Sequence, residues 1–411
     1  TMRNCQNNGN IVASGMRNTI GGLVGLLQSD LDFIQTPKYV FENSVNHGTI
    51  VSNGGSLNDV GGFIGSVLNN RDMEFSINKC CNTAEIKMNA TRIGYIGGLV
   101  GMIKGNFKST IQLSESTNNG AFEVIGNQSY VGGLVGWLVY NSFSHVIVSN
   151  STNNGMINLL NATRTSFLGG IIGVIDQSPS NNVSLTNVIN SANVISCHNC
   201  LSSNAGLIGF VRIPSKTTSF RLSIFHSLNL GTISNSFKES NACGLFCTTP
   251  DPLSQQVIIE VVNSINNGTA NGFYSYGIGN SASKAINVVS MGAITGRAKP
   301  FFDACEDGRF WFILKGISSD IMTEATIFDR HNGMYKTESG KQVDDELNKN
   351  AVSEQYGMVW TRDLRLVHGM HITLGKPVNR VLVVTRNTDV SVIDALIGNI
   401  NASEKLHFVD K

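Results

Sequence analysis

Cys197-His-Asn-Cys200 followed by Cys243-Gly-Leu-Phe-Cys247 is the part of this sequence whose residue types could do chemistry most directly. Paired thiols at such spacings can hold zinc in a tetrahedral site or close as disulfides. A third reading is structural. Cys243 and Cys247 stand where neighbouring repeats carry Gly, and Cys5 and Cys80 stand where they carry Ser, so all four suit small buried positions. The total of eight cysteines, completed by Cys81 and Cys305, does not separate these readings.

Acid–base chemistry on a polysaccharide needs carboxylates facing one bond. Asp59, Glu85, Glu123 and Asp176 are isolated acids at non-equivalent phases of the repeat. The Gly-rich stretches lack the following Gly-Lys-Ser/Thr of a phosphate loop. No Asp recurs as calcium-binding nonapeptides require. His145, His198, His226 and His331 have no consistent partners. Phe63, Trp137, Phe167 and Phe210 lie in or near a Gly-rich strand but form no repeating stack; they pack the interior or offer a face to sugars. No nucleophile, base and orienting group recur together. We therefore expect no catalysis, with no catalytic, cofactor-binding or metal-binding residues.

What must position any such group is a tandem repeat. Ile20-Gly-Gly-Leu-Val-Gly25 returns as Val60-Gly-Gly-Phe-Ile-Gly65, Ile96-Gly-Gly-Leu-Val-Gly101, Val131-Gly-Gly-Leu-Val-Gly136 and Leu168-Gly-Gly-Ile-Ile-Gly173. It then degrades through Asn204–Gly209, Ala242–Cys247 and Ser275–Asn280. Gly21, Gly61, Gly97, Gly132 and Gly169, continued by Ala205, Cys243 and Tyr276, are 33 to 40 residues apart. A second landmark keeps the same phase: Asn7, Asn46, Asn82, Asn118, Asn153, Asn190, Asn229 and Asn266, each two residues before a small turn residue. Three residues earlier Asn recurs at Asn4, Asn43, Asn150, Asn187, Asn263 and Asn287. A period in the mid-thirties marks a solenoid or an array.

Each repeat has three apolar segments, as in Ile111–Ser116, Ala121–Ile125 and Tyr130–Leu138. The first two alternate as strands do, and Gly in the third marks close backbone approach rather than helix. The expected fold is all-β: a right-handed parallel β-helix or β-solenoid of about eight coils over residues 1–299, stacked at ~4.8 Å, with a small mixed α+β cap. Equivalent Asn residues either form turns or stack as an amide ladder.

Net charge is +1, so no global field attracts nucleic acid. Residues 300–411 hold 29 of the charged side chains against 30 in the preceding 299, which places a boundary near Pro300. In this capping region Asp344–Tyr356 and Ser391–Ile397 read as helix, and Met358–Val367 and Val381–Val384 as strand. No apolar run approaches the ~20 residues of a membrane span. The chain opens inside a repeat, at Thr1-Met-Arg-Asn-Cys-Gln-Asn-Asn-Gly, which suggests a piece of a longer protein whose leader, if any, is elsewhere. Sequons at Asn89, Asn127, Asn150, Asn161, Asn182, Asn267 and Asn401 fit a secreted glycoprotein, but a chain this rich in Asn, Ser and Thr reaches that number by composition.

The Gly-Gly-Leu-Val-Gly core at this period resembles the GLUG-motif repeats of large surface and secreted proteins. Ser151-Thr-Asn-Asn-Gly155 and Ser264-Ile-Asn-Asn-Gly268 look most similar to tandem-repeat surface proteins of protists, as do the tail segments Asn241–Cys247, Asn287–Gly292, Glu324–Phe328 and Tyr356–Trp360. The resemblance covers about residues 4–367. It implies a non-enzymatic stalk or adhesin, extracellular or at a cell surface, with glycans or cell-surface proteins as partners and no cofactors. A carbohydrate-active β-helix, or the repeat appendage of a secreted hydrolase, is the alternative.

Overall fold

The structure is a computed structural model. It describes residues 1–28, 36–176, 181–212, 219–235, 237–248, 257–262 and 264–290, with strands at 294–299, 304–315, 322–329, 334–339, 369–371 and 381–383. Every regular element among the described residues is a strand. Equivalent strands of successive repeats pair in parallel, giving a β-solenoid of about seven turns rather than the expected eight. Eight Asn landmarks bound seven intervals, which accounts for the difference.

One turn shows the plan. Strand Thr110–Ser114 and the short strand Thr117–Asn118 lie in the first sheet, Phe122–Gly132 in the second, and Val135–Val139 in the third. The third apolar segment is thus two strands and not one: the chain turns a corner at Gly132-Gly133 and changes sheet. The corner recurs at Gly97-Gly98, between Ile86–Gly97 and Val100–Lys104.

Alternation fills two cores. Phe75, Ile77, Ile111, Leu113, Val146 and Val148 of the first sheet meet Phe63, Ile64, Val100, Ile103, Val135 and Leu138 of the third. Ile86, Met88, Phe122 and Val124 from the first arm of the second sheet meet Ile96, Val131 and Leu168 from its second arm. Nearly all are fully buried, each contributing about 1.5–3 kcal/mol on transfer from water.

The first sheet runs past the expected boundary near Pro300. Ser281–Ser290 pairs in parallel with Ala304–Lys315, after which Met322–Asp329 and Met334–Ser339 add antiparallel. Val381–Val383 pairs antiparallel with Gly369–His371. The expected helices at 344–356 and 391–397 and the strand at 358–367 lie outside the described residues.

Candidate functional site: ladders and an outer aromatic cleft

The two Asn columns have separate tasks. In the upstream column the backbone is left-handed, with φ of 53° at Asn4, 49° at Asn43, 48° at Asn150 and 54° at Asn187. Asn tolerates that region better than most residues. Lys79, Glu115 and His226 occupy it in other turns. The downstream column is the amide ladder. Asn7 Nδ2 donates to Asn46 Oδ1 at 2.8 Å, Asn46 to Asn82 at 2.9 Å, and Asn82 to Asn118 at 2.8 Å. Asn118 donates to Asn153 at 2.8 Å, Asn153 to Asn190 at 3.0 Å, Asn190 to Asn229 at 2.9 Å and Asn229 to Asn266 at 2.8 Å. Asn46 through Asn266 are fully buried, so each amide needs these partners. Each ladder Asn from Asn82 to Asn229, Asn82 and Asn118 included, also donates to the carbonyl two residues on, closing its own turn.

The Gly column is equally regular: Gly21, Gly61, Gly97, Gly132 and Gly169 pair in register. A Cβ on Gly132 would meet Val135 O and the Gly173 amide. Cys243 continues this column after Ala205. It is bonded to Cys247 across the corner, and Cys197 to Cys200 at the end of the second sheet's first arm. The disulfide reading therefore holds for both pairs, while Cys243, Cys247 and Cys200 are also fully buried small residues. Among the described residues Cys80 is buried and unpaired: its amide donates to Ser116 Oγ and its thiol to the Asn78 carbonyl, the bonds Ser116 makes one turn on. Burial pushes that thiol up to about 11. Among the described residues no His, Cys, Asp and Glu group is arranged to hold a metal.

The aromatic residues correct the sequence reading. The sharp corner folds the second arm of the second sheet towards the outer face of the third, and a cleft filled by packed side chains lies between them. One wall is the register column Asp59, Tyr95, Tyr130, Phe167, Ser203, Asn241 and Tyr274. The facing wall is Ser66, Met102, Trp137, Val174 and Phe210. Tyr95 stacks on Trp137 with centroids 4.4 Å apart and planes 12° apart. Tyr130 lies 5.3 Å from both Tyr95 and Phe167, and Phe167 is 4.8 Å from Phe210. The rings do stack. Tyr95, Tyr130 and Phe167 share one wall in successive turns, while Trp137 and Phe210 stand two turns apart on the other, so neither wall alone shows the whole stack; only Phe63, of the four rings named from the sequence, is in the inner core.

Two acids enter this cleft. Asp59 Oδ2 accepts from Ser66 Oγ at 2.7 Å, and burial pushes the carboxyl up to about 6 against the opposing pull of Ser66 and Lys104. Asp176 Oδ2 accepts from Arg212 Nη1 at 2.8 Å. Burial raises this carboxyl too, while Arg212 and then the Trp137 indole N–H draw it down. Arg212 also sits 5.6 Å above the Phe167 ring. Glu85 and Glu123, by contrast, flank Lys87 on an outer face at 3.2 and 3.3 Å. His145 lies 3.5 Å from Asn182 on the surface, His226 is buried at a left-handed turn, and His331 is outside the described residues.

No protein-family model, curated protein or solved structure matches the chain. No helix among the described residues is long and apolar enough to cross a membrane.

Proposed function

We propose that this chain is a non-enzymatic β-solenoid of a cell-surface or secreted protein, acting as a stalk or adhesin through the surface it holds out. The observation that carries this reading is the unbroken amide ladder from Asn7 to Asn266, which ties seven turns into one continuous stack. The GLUG-like repeat supports the same reading. Both cleft acids are engaged by neighbours, Asp59 by Ser66 and Asp176 by Arg212, as structural acids are. Glycans or cell-surface proteins are the partners such a surface suits.

One observation favours the carbohydrate-active alternative. Asp59 and Asp176 border the same packed aromatic cluster, three turns apart, and burial raises both carboxyls, as it raises a general acid's. The experiment that separates the readings immobilises the chain on beads. Capture of glycans or cells without breakdown supports the stalk or adhesin. Turnover of a polysaccharide that vanishes in Asp176→Asn supports the enzyme.

A further inference from the structure

The cleft wall changes character at its sixth turn. Tyr95, Tyr130 and Phe167 fill it in successive turns, each ring packed against the next and 5–7% exposed. The register partner of Phe167 is Ser203, and that of Ser203 is Asn241. Two rings are thus replaced by two small polar side chains before Tyr274 resumes the column. The facing wall does not shrink in step, because Phe210 remains on it. The result is an open depression of about 490 Å³. Phe167 and Phe210 form its apolar floor, and Ser203, Asn241, Arg212 and Glu239 stand around it. Pockets of a few hundred Å³ with an apolar floor and a few placed polar groups are the usual form of small-ligand sites.

The geometry points to a saccharide-binding site in this gap. A pyranose has an apolar C–H face and an equatorial belt of hydroxyls. The partly exposed Phe210 ring offers the apolar surface. Asn241 Nδ2, now 3.3 Å from Ser203 Oγ in a long hydrogen bond, and the Ser203 hydroxyl offer donor and acceptor to one edge. The exposed Glu239 carboxylate accepts from hydroxyls at the rim. Arg212 keeps Nη1 on Asp176, which holds the guanidinium at the edge of the floor. The ligand class is a neutral hexose or N-acetylhexosamine unit of a glycan.

This site rests on the non-enzymatic reading, in that the sugar is held and not cleaved. Saturation-transfer NMR with galactose, mannose, N-acetylglucosamine and their disaccharides tests both separately. Transfer from the wild-type chain to at least one sugar is expected. Ser203→Phe restores the missing ring and should abolish it, with the solenoid otherwise intact. Asn241→Ala keeps the gap and removes a donor, and should weaken binding about tenfold. No transfer from wild type, or transfer unchanged in both variants, overturns the site. Cleavage of a bound disaccharide in the same tube, with transfer still lost in Ser203→Phe, overturns the non-enzymatic reading and leaves the site standing.

Discussion

The side-chain amide of Asn153 is seated against Gly133, where a β-carbon on Gly133 would stand. The same contact joins Gly98 to Asn118, Gly170 to Asn190 and Gly206 to Asn229. The second Gly of each Gly-Gly pair and the Asn column are therefore two sides of one contact at the centre of each turn. Gly133→Ala should destabilise the chain by about 2–3 kcal/mol, because both the Asn153 amide and the Gly170 carbonyl would have to move. Gly54→Ala is the control. Nothing lies within 4 Å of its added carbon, and only its φ of +74° opposes the change, at about 1 kcal/mol. Urea titration of both variants measures the difference; equal midpoints would refute the contact.

Asn153→Ala breaks the ladder from within. Asn118 Nδ2 loses its acceptor and Asn190 Oδ1 its donor, both in a dry interior. The expected loss is about 2–4 kcal/mol. Asn154, one residue on, donates to Asn119 at 2.8 Å on the surface, and Asn154→Ala should stay within about 0.5 kcal/mol. Thermal unfolding of the pair would show it.

The ladder stops at Asn266, whose register partner is Ser290. Among the described residues, Asn266 Nδ2 is buried there without an acceptor. Ser290→Asn should supply one and raise stability by about 1 kcal/mol. A lower unfolding temperature would mean that the last turn has no room for a further rung.

How much of this was legible in the sequence follows from what repeats. Gly97, Gly132 and Gly169, each followed by the Gly that seats an Asn amide, recur with the Asn column at constant phase because every turn needs the same close approach, so their alignment could be read directly. The corner at Gly132-Gly133 could not, since an apolar run around two glycines reads as one strand whether straight or bent. The cleft was hidden for the same reason: Tyr130 and Trp137 look seven residues apart on one strand but face each other from two sheets. The ring-to-Ser change at Ser203 carries a signal only once the register with Phe167 is known.

Asp59 makes stability depend on pH. Its carboxyl rises from 3.8 to about 6 on folding, so the folded chain holds the proton more tightly than the unfolded one. Stability is then greatest below the lower value, falls between the two, and is flat above the upper one, by on the order of 1–3 kcal/mol in all. Asp59→Asn should remove this slope and unfold at a higher temperature than wild type at neutral pH. Parallel profiles for the two proteins would assign the slope elsewhere.

We propose that the solenoid holds surface and does not transform what it binds. The most direct test is release of new sugar ends from a polysaccharide panel, followed at pH values spanning the titration of Asp59. No release from the wild-type chain is expected at any pH. Release with a pH optimum, lost in Asp59→Asn or Asp176→Asn while the fold persists, would contradict it.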